Sequence, residues 1–234
     1  MTAPAGGPPG AVPLRVVVAD DDPRIRGDFA ALLELEPDLT VVGTAADGTA
    51  VVDLCARLVP HVVVMDVRMP GRDGIAATRA LRRRHRDRCR VLVVTTFDLD
   101  DYVLGAVRAG AAGFLLKDQA PDLLADAVRT VAAGDGVVSP RATARLLREL
   151  VAPGLAEGRA PGGLTEREAH VVALVARGLR NDEIAAQARI SRATVKTHVS
   201  NVLAKLGLSS RLQIVVWAYE QGLVPPRGPD RRGY

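Results

Sequence analysis

The chain has 234 residues, 48% of them hydrophobic and 25% charged, ordinary figures for a globular protein with room for two modest domains. No apolar run approaches the roughly 20 residues of a membrane span. The opening "MTAPAGGPPGAVP" has neither the basic stretch nor the apolar core of a signal peptide, so residues 1–13 are expected as the disordered tail of a cytoplasmic protein.

The net charge of +4 conceals a split. Residues 14–133 carry 16 Lys and Arg against 18 Asp and Glu, whereas residues 164–224 carry 8 against 5. That asymmetry suggests an acidic module joined to a nucleic-acid-binding one.

From Leu14 to Ala133 strand and helix signals alternate. "LRVVVA" (14–19) is a strand. Asp22 can cap a helix with Pro23 in its first turn and with Ile25, Phe29, Leu32 and Leu33 along one face. "LTVVGTA" (39–45) is a second strand, followed by a helix near 48–59 and by the apolar run Val62 to Met65, which ends at Asp66. A helix over 74–85, the strand "RVLVVT" (90–95), a helix near 99–109, the strand "AGFLLK" (112–117) and a helix from Pro121 to Ala133 complete five βα units. Apolar strands in this alternation imply a parallel doubly wound sheet with its functional groups at the carboxyl ends of the strands. Cys55 and Cys89 form no close pair and are expected as reduced structural thiols, not a disulfide or metal site. The run "RRRHRDRCR" (82–90) reads as a solvated basic helix end rather than a nucleic-acid patch.

Residues 134–163 read as a linker, in which 141–152 can form a short helix and 153–163 is rich in Pro and Gly. An all-helical module takes 164–224, and 225–234 is a second disordered tail. Within the module Thr165 and Glu168 form a capping box, Gly178 stops the first helix and Asn181 starts the second. Ser191 caps a third helix with a buried stripe of Val195, Val199, Val202, Leu203 and Leu206. Its other side offers Arg192, Ala193, Thr194, Lys196, Thr197, Ser200 and Asn201, with Lys205 near its end, and no acid. A basic helix after a short turn fits a recognition helix in a major groove, although an ordinary amphipathic helix has the same periodicity. His198 has no Cys or second His at ligand spacing, so a phosphate or structural contact suits it better than a metal.

At the strand ends stand Asp20 and Asp21, Asp66, Thr95 and Lys117. Three clustered carboxylates repel one another unless a cation lies among them, and hard oxygen ligands suit Mg²⁺. Asp66 is then a nucleophile able to form an acyl phosphate, with Lys117 and the Thr95 hydroxyl as partners for phosphate oxygens. A flavin-binding flavodoxin would need a phosphate-cradling loop where this chain has three acids. A haloacid-dehalogenase-type phosphatase would need a second Asp where Arg68 stands.

The segments "VVADDDPRIR", "VVVMDVRMPGRDG", "VTTFD" and "AGFLLKD" closely resemble the receiver domain of bacterial two-component response regulators, over residues 14–133. The segment from "LTEREAH" to "TVKTHVSNVLAKLG" resembles the LuxR-type helix-turn-helix, over about 164–222. Together they are similar to response regulators of the NarL/FixJ type. The resemblance implies a flavodoxin-like (βα)5 receiver with a five-stranded parallel sheet, followed by a small all-α four-helix domain. It implies that Asp66 accepts a phosphoryl group from a sensor histidine kinase. Asp20, Asp21, Asp66 and the main-chain carbonyl of Arg68 would hold Mg²⁺, Thr95 would be the switch hydroxyl and Lys117 the phosphate-pairing lysine. Phe114 stands where the family often has a switch aromatic, but lacks the hydroxyl for a hydrogen-bonded signal.

For the second module the resemblance implies binding of double-stranded promoter DNA as a homodimer formed on activation. The fourth helix (about 209–221), with Ile214 and Trp217, would lie at the dimer contact. Arg180 and Ser200 depart from the family's usual residues and leave the preferred DNA sequence open. The expected activity is transcription regulation, not an enzyme's. The alternative is a phosphorylation-independent DNA-binding regulator that uses its receiver only as a dimerisation scaffold.

Overall fold

The computed structural model describes residues 12–85, 88–96, 100–118, 120–135, 137–138 and 163–223. The expected tails (apart from residues 12 and 13), the linker helix over 141–152 and the Phe97–Asp98 pair lie outside those residues. The chain divides after residue 139 into two compact units.

In the first unit the elements run β1 (Leu14–Ala19), α1 (Pro23–Glu34), β2 (Leu39–Ala45), α2 (Gly48–Leu58), β3 (Val62–Met65), α3 (Gly74–His85), β4 (Arg90–Thr95), α4 (Asp100–Ala109), β5 (Gly113–Leu116) and α5 (Ala120–Ala133). The strands pair in parallel in the order β2-β1-β3-β4-β5. Helix α1 packs on α5, while α2 packs on α3 and α3 on α4. The sheet is therefore covered on both faces, and Val16–Val18, Val62–Met65 and Val91–Val94 are almost wholly buried. A two-residue strand, β6 (Val137–Val138), adds to the edge beside β5. It lies in the stretch expected as linker, so the sheet extends past Ala133.

Two local features differ from expectation. Cys55 and Cys89, distant in sequence, are both buried, and the neighbouring Cys89 thiol together with burial pushes the Cys55 thiol up. The two thiols form a close pair and are free.

The corner between α2 and β3 is strained. Val59 caps α2 with φ +46° and ψ +62°, a left-handed conformation that disfavours a β-branched side chain. Pro60 follows, and the corner is held by Val59 N–H to Cys55 O (2.9 Å) and by His61 N–H to Arg15 O (2.9 Å). The Arg15 amide in turn donates to His61 Nδ1 at 2.9 Å.

The second unit contains α6 (Glu166–Ala176), α7 (Asn181–Ala188), α8 (Arg192–Leu206) and α9 (Arg211–Glu220). The capping box is present: Thr165 N–H donates to Glu168 Oε2 at 2.8 Å and Glu168 N–H to Thr165 Oγ1 at 3.3 Å. Ser191 caps α8 and Gly207 ends it with φ +65°. Val171, Leu174, Val175, Ile184, Val195, Val199 and Val202 fill one core.

Ile214 of α9 is 0% exposed and belongs to that core, which corrects its assignment to a dimer contact. The helix is apolar on more than one side, and the side carrying Ile214 turns inward against its own domain. Trp217 is half-buried at the margin of the same core.

The Val59 side chain is 47% exposed, so exchanging it removes little apolar burial. Val59→Asn, which tolerates the left-handed region, is expected to stabilise the first unit by about 1 kcal/mol. A higher urea midpoint at unchanged slope is the expected result. A lower midpoint would mean that the valine's packing outweighs its backbone cost.

Candidate functional site

The acidic pocket follows from the strand register. Because Ala19 pairs with Met65, the next residues, Asp20 and Asp66, emerge side by side, and Asp66 N–H donates to Ala19 O at 2.8 Å. On the other side Thr95 pairs with Leu116. Lys117 N–H donates to Thr95 O at 2.9 Å, which brings Lys117 to the same edge.

One carboxylate oxygen each from Asp20, Asp21 and Asp66 lies within 4.8 Å of the others; this is the only such group of three potential metal ligands found among the described residues. Lys117 Nζ lies 2.5 Å from Asp20 Oδ2 and 3.1 Å from Asp66 Oδ2. Burial pushes the Asp20 carboxyl above its ordinary value, although the Lys117 ammonium pulls it down. The same burial disfavours a charged Lys117, but the two carboxylates prevail and raise its pKa.

Asp66 is 6% exposed; its Oδ1 accepts from Val67 N–H at 2.7 Å and its Oδ2 from Lys117. Asp21 is exposed and gives the cluster an open side. The donor set is all hard oxygen and fits a small divalent cation that retains water ligands.

The sequence-predicted residues thus come together: Asp20, Asp21, Asp66 and Lys117 by side-chain contact, and Thr95 through the backbone bond to Lys117. Thr95 is fully buried. Arg68 lies exposed in the loop after β3. Phe114 is also fully buried, a core ring on β5. The residue missed by sequence reasoning is Gly74. A Cβ there would run into the Asp66 carbonyl, and the Gly74 amide bonds Val67 O at 2.8 Å, so glycine alone permits α3 to start against the pocket. The "PGRDG" turn held that signal.

In the second unit α8 displays Arg192, Ala193, Thr194, Lys196, Thr197, Ser200 and Asn201, all exposed, opposite the buried Val195, Val199 and Val202. Two hydroxyls on that side are partly engaged: Thr194 Oγ1 lies 2.7 Å from Ser191 Oγ, and Thr197 donates to Ala193 O at 3.1 Å. His198 is half-buried.

Lys205, exposed near the end of the same helix, has a partner on another helix: its Nζ lies 2.6 Å from Glu168 Oε2 of α6. Lys205 and the Thr165 amide together hold the Glu168 carboxyl at about 2, well below its usual 4.5. Arg211 was likewise missed: buried on α9, it donates from Nη1 to Asn181 Oδ1 at 2.8 Å and from Nη2 to Leu179 O, fixing the start of α7.

Comparison with known proteins bears on both sites. Residues 16–129 match the response regulator receiver domain, and residues 163–218 match the luxR family of bacterial regulatory proteins. The chain is 37% identical over 218 residues to the transcriptional regulatory protein YxjL of Bacillus subtilis, covering 90% of this chain and 97% of that one. It is 38% identical over 213 residues to the nitrate/nitrite response regulator NarP of Escherichia coli, covering 91% and 98%. Among solved structures it is similar to the response regulator ChrA of a heme-sensing two-component system, with a TM-score of 0.51, 36% identity and coverage of 91% and 100%. YxjL is named as a transcriptional regulatory protein, and NarP and ChrA as response regulators; none is named as an enzyme. Among the described residues no helix is long and apolar enough to cross a membrane. With a receiver fold, its acidic pocket and a luxR-family helical unit in one chain, the protein belongs to the two-component response regulators of the NarL type, transcription factors that join a receiver to a LuxR-type DNA-binding domain.

Proposed function

We propose that the receiver takes a phosphoryl group on Asp66 from a sensor histidine kinase, and that this modification promotes homodimerisation and binding of the second unit to promoter DNA in the cytoplasm. The observation that carries the reading is the Asp20–Asp21–Asp66 cluster with Lys117 bonded to two of its members. Packing alone gives no reason to gather three acids there, which favours this reading over a mere scaffold.

In the transfer an Asp66 carboxylate oxygen forms the bond to phosphorus while the bond from phosphorus to the donor's imidazole nitrogen breaks; the imidazole leaves with a proton. Asp20, Asp21, Asp66 and the main-chain carbonyl of Arg68 would hold Mg²⁺, which, when bound, neutralises charge on the incoming phosphoryl oxygens. The Val67 amide, already bonded to Asp66 Oδ1, keeps the carboxylate oriented. Lys117 exchanges its Asp66 contact for a phosphoryl oxygen, and the Thr95 hydroxyl donates to another.

In the second unit Arg192, Ala193, Thr194, Lys196, Thr197, Ser200 and Asn201 form the DNA face, with α8 in the major groove. Trp217 is retained as a candidate for the dimer contact; Ile214 is not.

Asp66→Asn keeps the shape of the side chain and removes the nucleophile. After treatment with acetyl phosphate and Mg²⁺, the native chain is expected to gain one phosphoryl group by intact-mass spectrometry. The variant should gain none, with its circular dichroism unchanged. A native chain that gains none favours the scaffold reading, and a variant that still gains one removes Asp66 from the role.

Lys196→Ala should weaken DNA binding. A base contact predicts a loss of about 1–3 kcal/mol and relaxed preference at one position. A phosphate contact predicts a similar loss on all sequences and a salt slope lower by about one. Gel-shift titration on selected and scrambled duplexes at several salt concentrations separates the two, and an unchanged affinity would take α8 out of the groove.

A further inference from the structure

Helix α8 carries the proposed DNA face, and its two ends are anchored by different means. At the start, the turn from α7 passes through Arg189 in the left-handed region (φ +55°), Ser191 caps the helix, and Val195 is buried. At the end, Val202 is buried with Leu203 and Leu206 packed beside it, and a polar contact is added. Glu168, in the first turn of α6, is 4% exposed. Its Oε2 accepts from the Thr165 amide (2.8 Å), the Thr165 hydroxyl (2.9 Å) and Lys205 Nζ (2.6 Å). One oxygen atom therefore joins the cap of α6 to the last turn of α8.

We propose that Glu168 and Lys205 are positioning residues for DNA recognition, whose ion pair sets the angle at which α8 presents its DNA face. The inference rests on the DNA-binding reading above. Neither residue touches DNA; each acts through the helix.

Two physical points favour positioning over general stabilisation. The Lys205 side chain is 39% exposed, so its ammonium could turn to water, whereas the Glu168 side chain, 5% exposed, keeps its two Thr165 donors whichever way the lysine turns. What the contact does impose is direction, because the carboxylate that receives it is buried and fixed by its own cap. The second point is leverage. With the start of α8 held by Ser191 and Val195, Asn201 lies ten residues from Ser191, roughly 15 Å along the axis at the helical rise. A tilt of about 5° about that start moves Asn201 by roughly 1 Å, enough to spoil hydrogen bonds to base edges that tolerate only a few tenths. Contacts to phosphates, made by long flexible side chains, are more forgiving.

Glu168→Gln keeps the side-chain length and the capping box, which accepts Gln, while removing the charge. Lys205→Met keeps the aliphatic stem. Both are made in the full chain and titrated against a duplex selected by the native protein from a randomised pool, and against a scrambled duplex of the same composition. Each variant is expected to lose about tenfold in affinity for the selected duplex and little for the scrambled one, with the salt slope unchanged. Lys205→Arg, which can still reach Glu168, should retain the native preference.

The competing electrostatic account predicts the opposite sign for one variant. Removing the Glu168 charge should then tighten binding to both duplexes, and Lys205→Met should weaken both with a salt slope lower by about one. Either result overturns the proposal, as does full retention of preference by Glu168→Gln and Lys205→Met. Thermal unfolding of each variant accompanies the titrations, and Lys205→Met carries the test if Glu168→Gln does not fold, since the Lys205 head group lies outside the core. A native chain that shows no preference between the duplexes rejects the DNA-binding reading itself, a failure distinct from the others.

Discussion

The receiver depends on how its sheet tolerates charge at one edge. Three carboxylates with oxygens within 4.8 Å of one another are costly in a site where Asp20 and Asp66 are buried. Lys117 offsets part of that cost through contacts at 2.5 and 3.1 Å, and both groups are shifted upward, for different reasons. Burial prevails at Asp20, whereas at Lys117 the two carboxylates prevail. One ammonium cannot neutralise three acids, so the pocket keeps an excess of negative charge beside an exposed Asp21. An all-oxygen donor set of this charge suits a small divalent cation. The parallel fold makes it possible, since its strands are apolar on both faces and its polar groups are confined to the strand ends.

The second unit handles charge the other way. Its cations stand outward along α8, and the few charged or polar groups it buries are pinned between helices. Glu168 receives Lys205 and Thr165, while Arg211 meets Asn181 and the Leu179 carbonyl. Such contacts add little net energy compared with the Val-rich core, but they are directional. A small helical domain packed by Val and Leu alone could slide by a fraction of a turn at modest cost. Buried hydrogen-bonded anchors restrict that freedom.

Much of this was legible in the sequence, for reasons that also explain what was not. Strands β1 and β4 coincide with their apolar runs because a strand buried on both faces has no polar interruption to blur its ends. Asp66 and Lys117 were readable because each follows such a run directly. Strand β6 was not readable, since two valines among glycines carry no period and form a strand only by pairing with Gly113 and Phe114. Lys205 lies near the edge of the polar face of α8, and nothing in the local pattern indicates that a carboxylate from another helix reaches it. Ile214 belongs to a helix apolar on several sides, where the inward side cannot be told from the outward. The Cys55–Cys89 contact and the left-handed Val59 are likewise products of tertiary closure. In each case the missing information was the partner, not the residue.

The proposed switch faces a constraint that the pocket itself imposes. Thr95 and Phe114 are fully buried on adjacent strands, β4 and β5, so a hydroxyl drawn toward a phosphorylated Asp66 leaves space that packed neighbours must refill. Close packing makes such a change a step between two arrangements rather than a gradual deformation. Reversing a two-state population from 1:99 to 99:1 requires about 5.5 kcal/mol of differential stabilisation. A hydrogen bond to a charged group contributes about 1.5–3 kcal/mol. The Thr95 contact does not reach that alone, and the Lys117 contact to the phosphoryl group replaces one it already makes to Asp66, so repacking of the buried neighbours must supply the rest. Lys117 N–H to Thr95 O, at 2.9 Å, ties the backbones of the two residues. Phe114, without a hydroxyl, can take part in such a switch only through the volume its ring occupies.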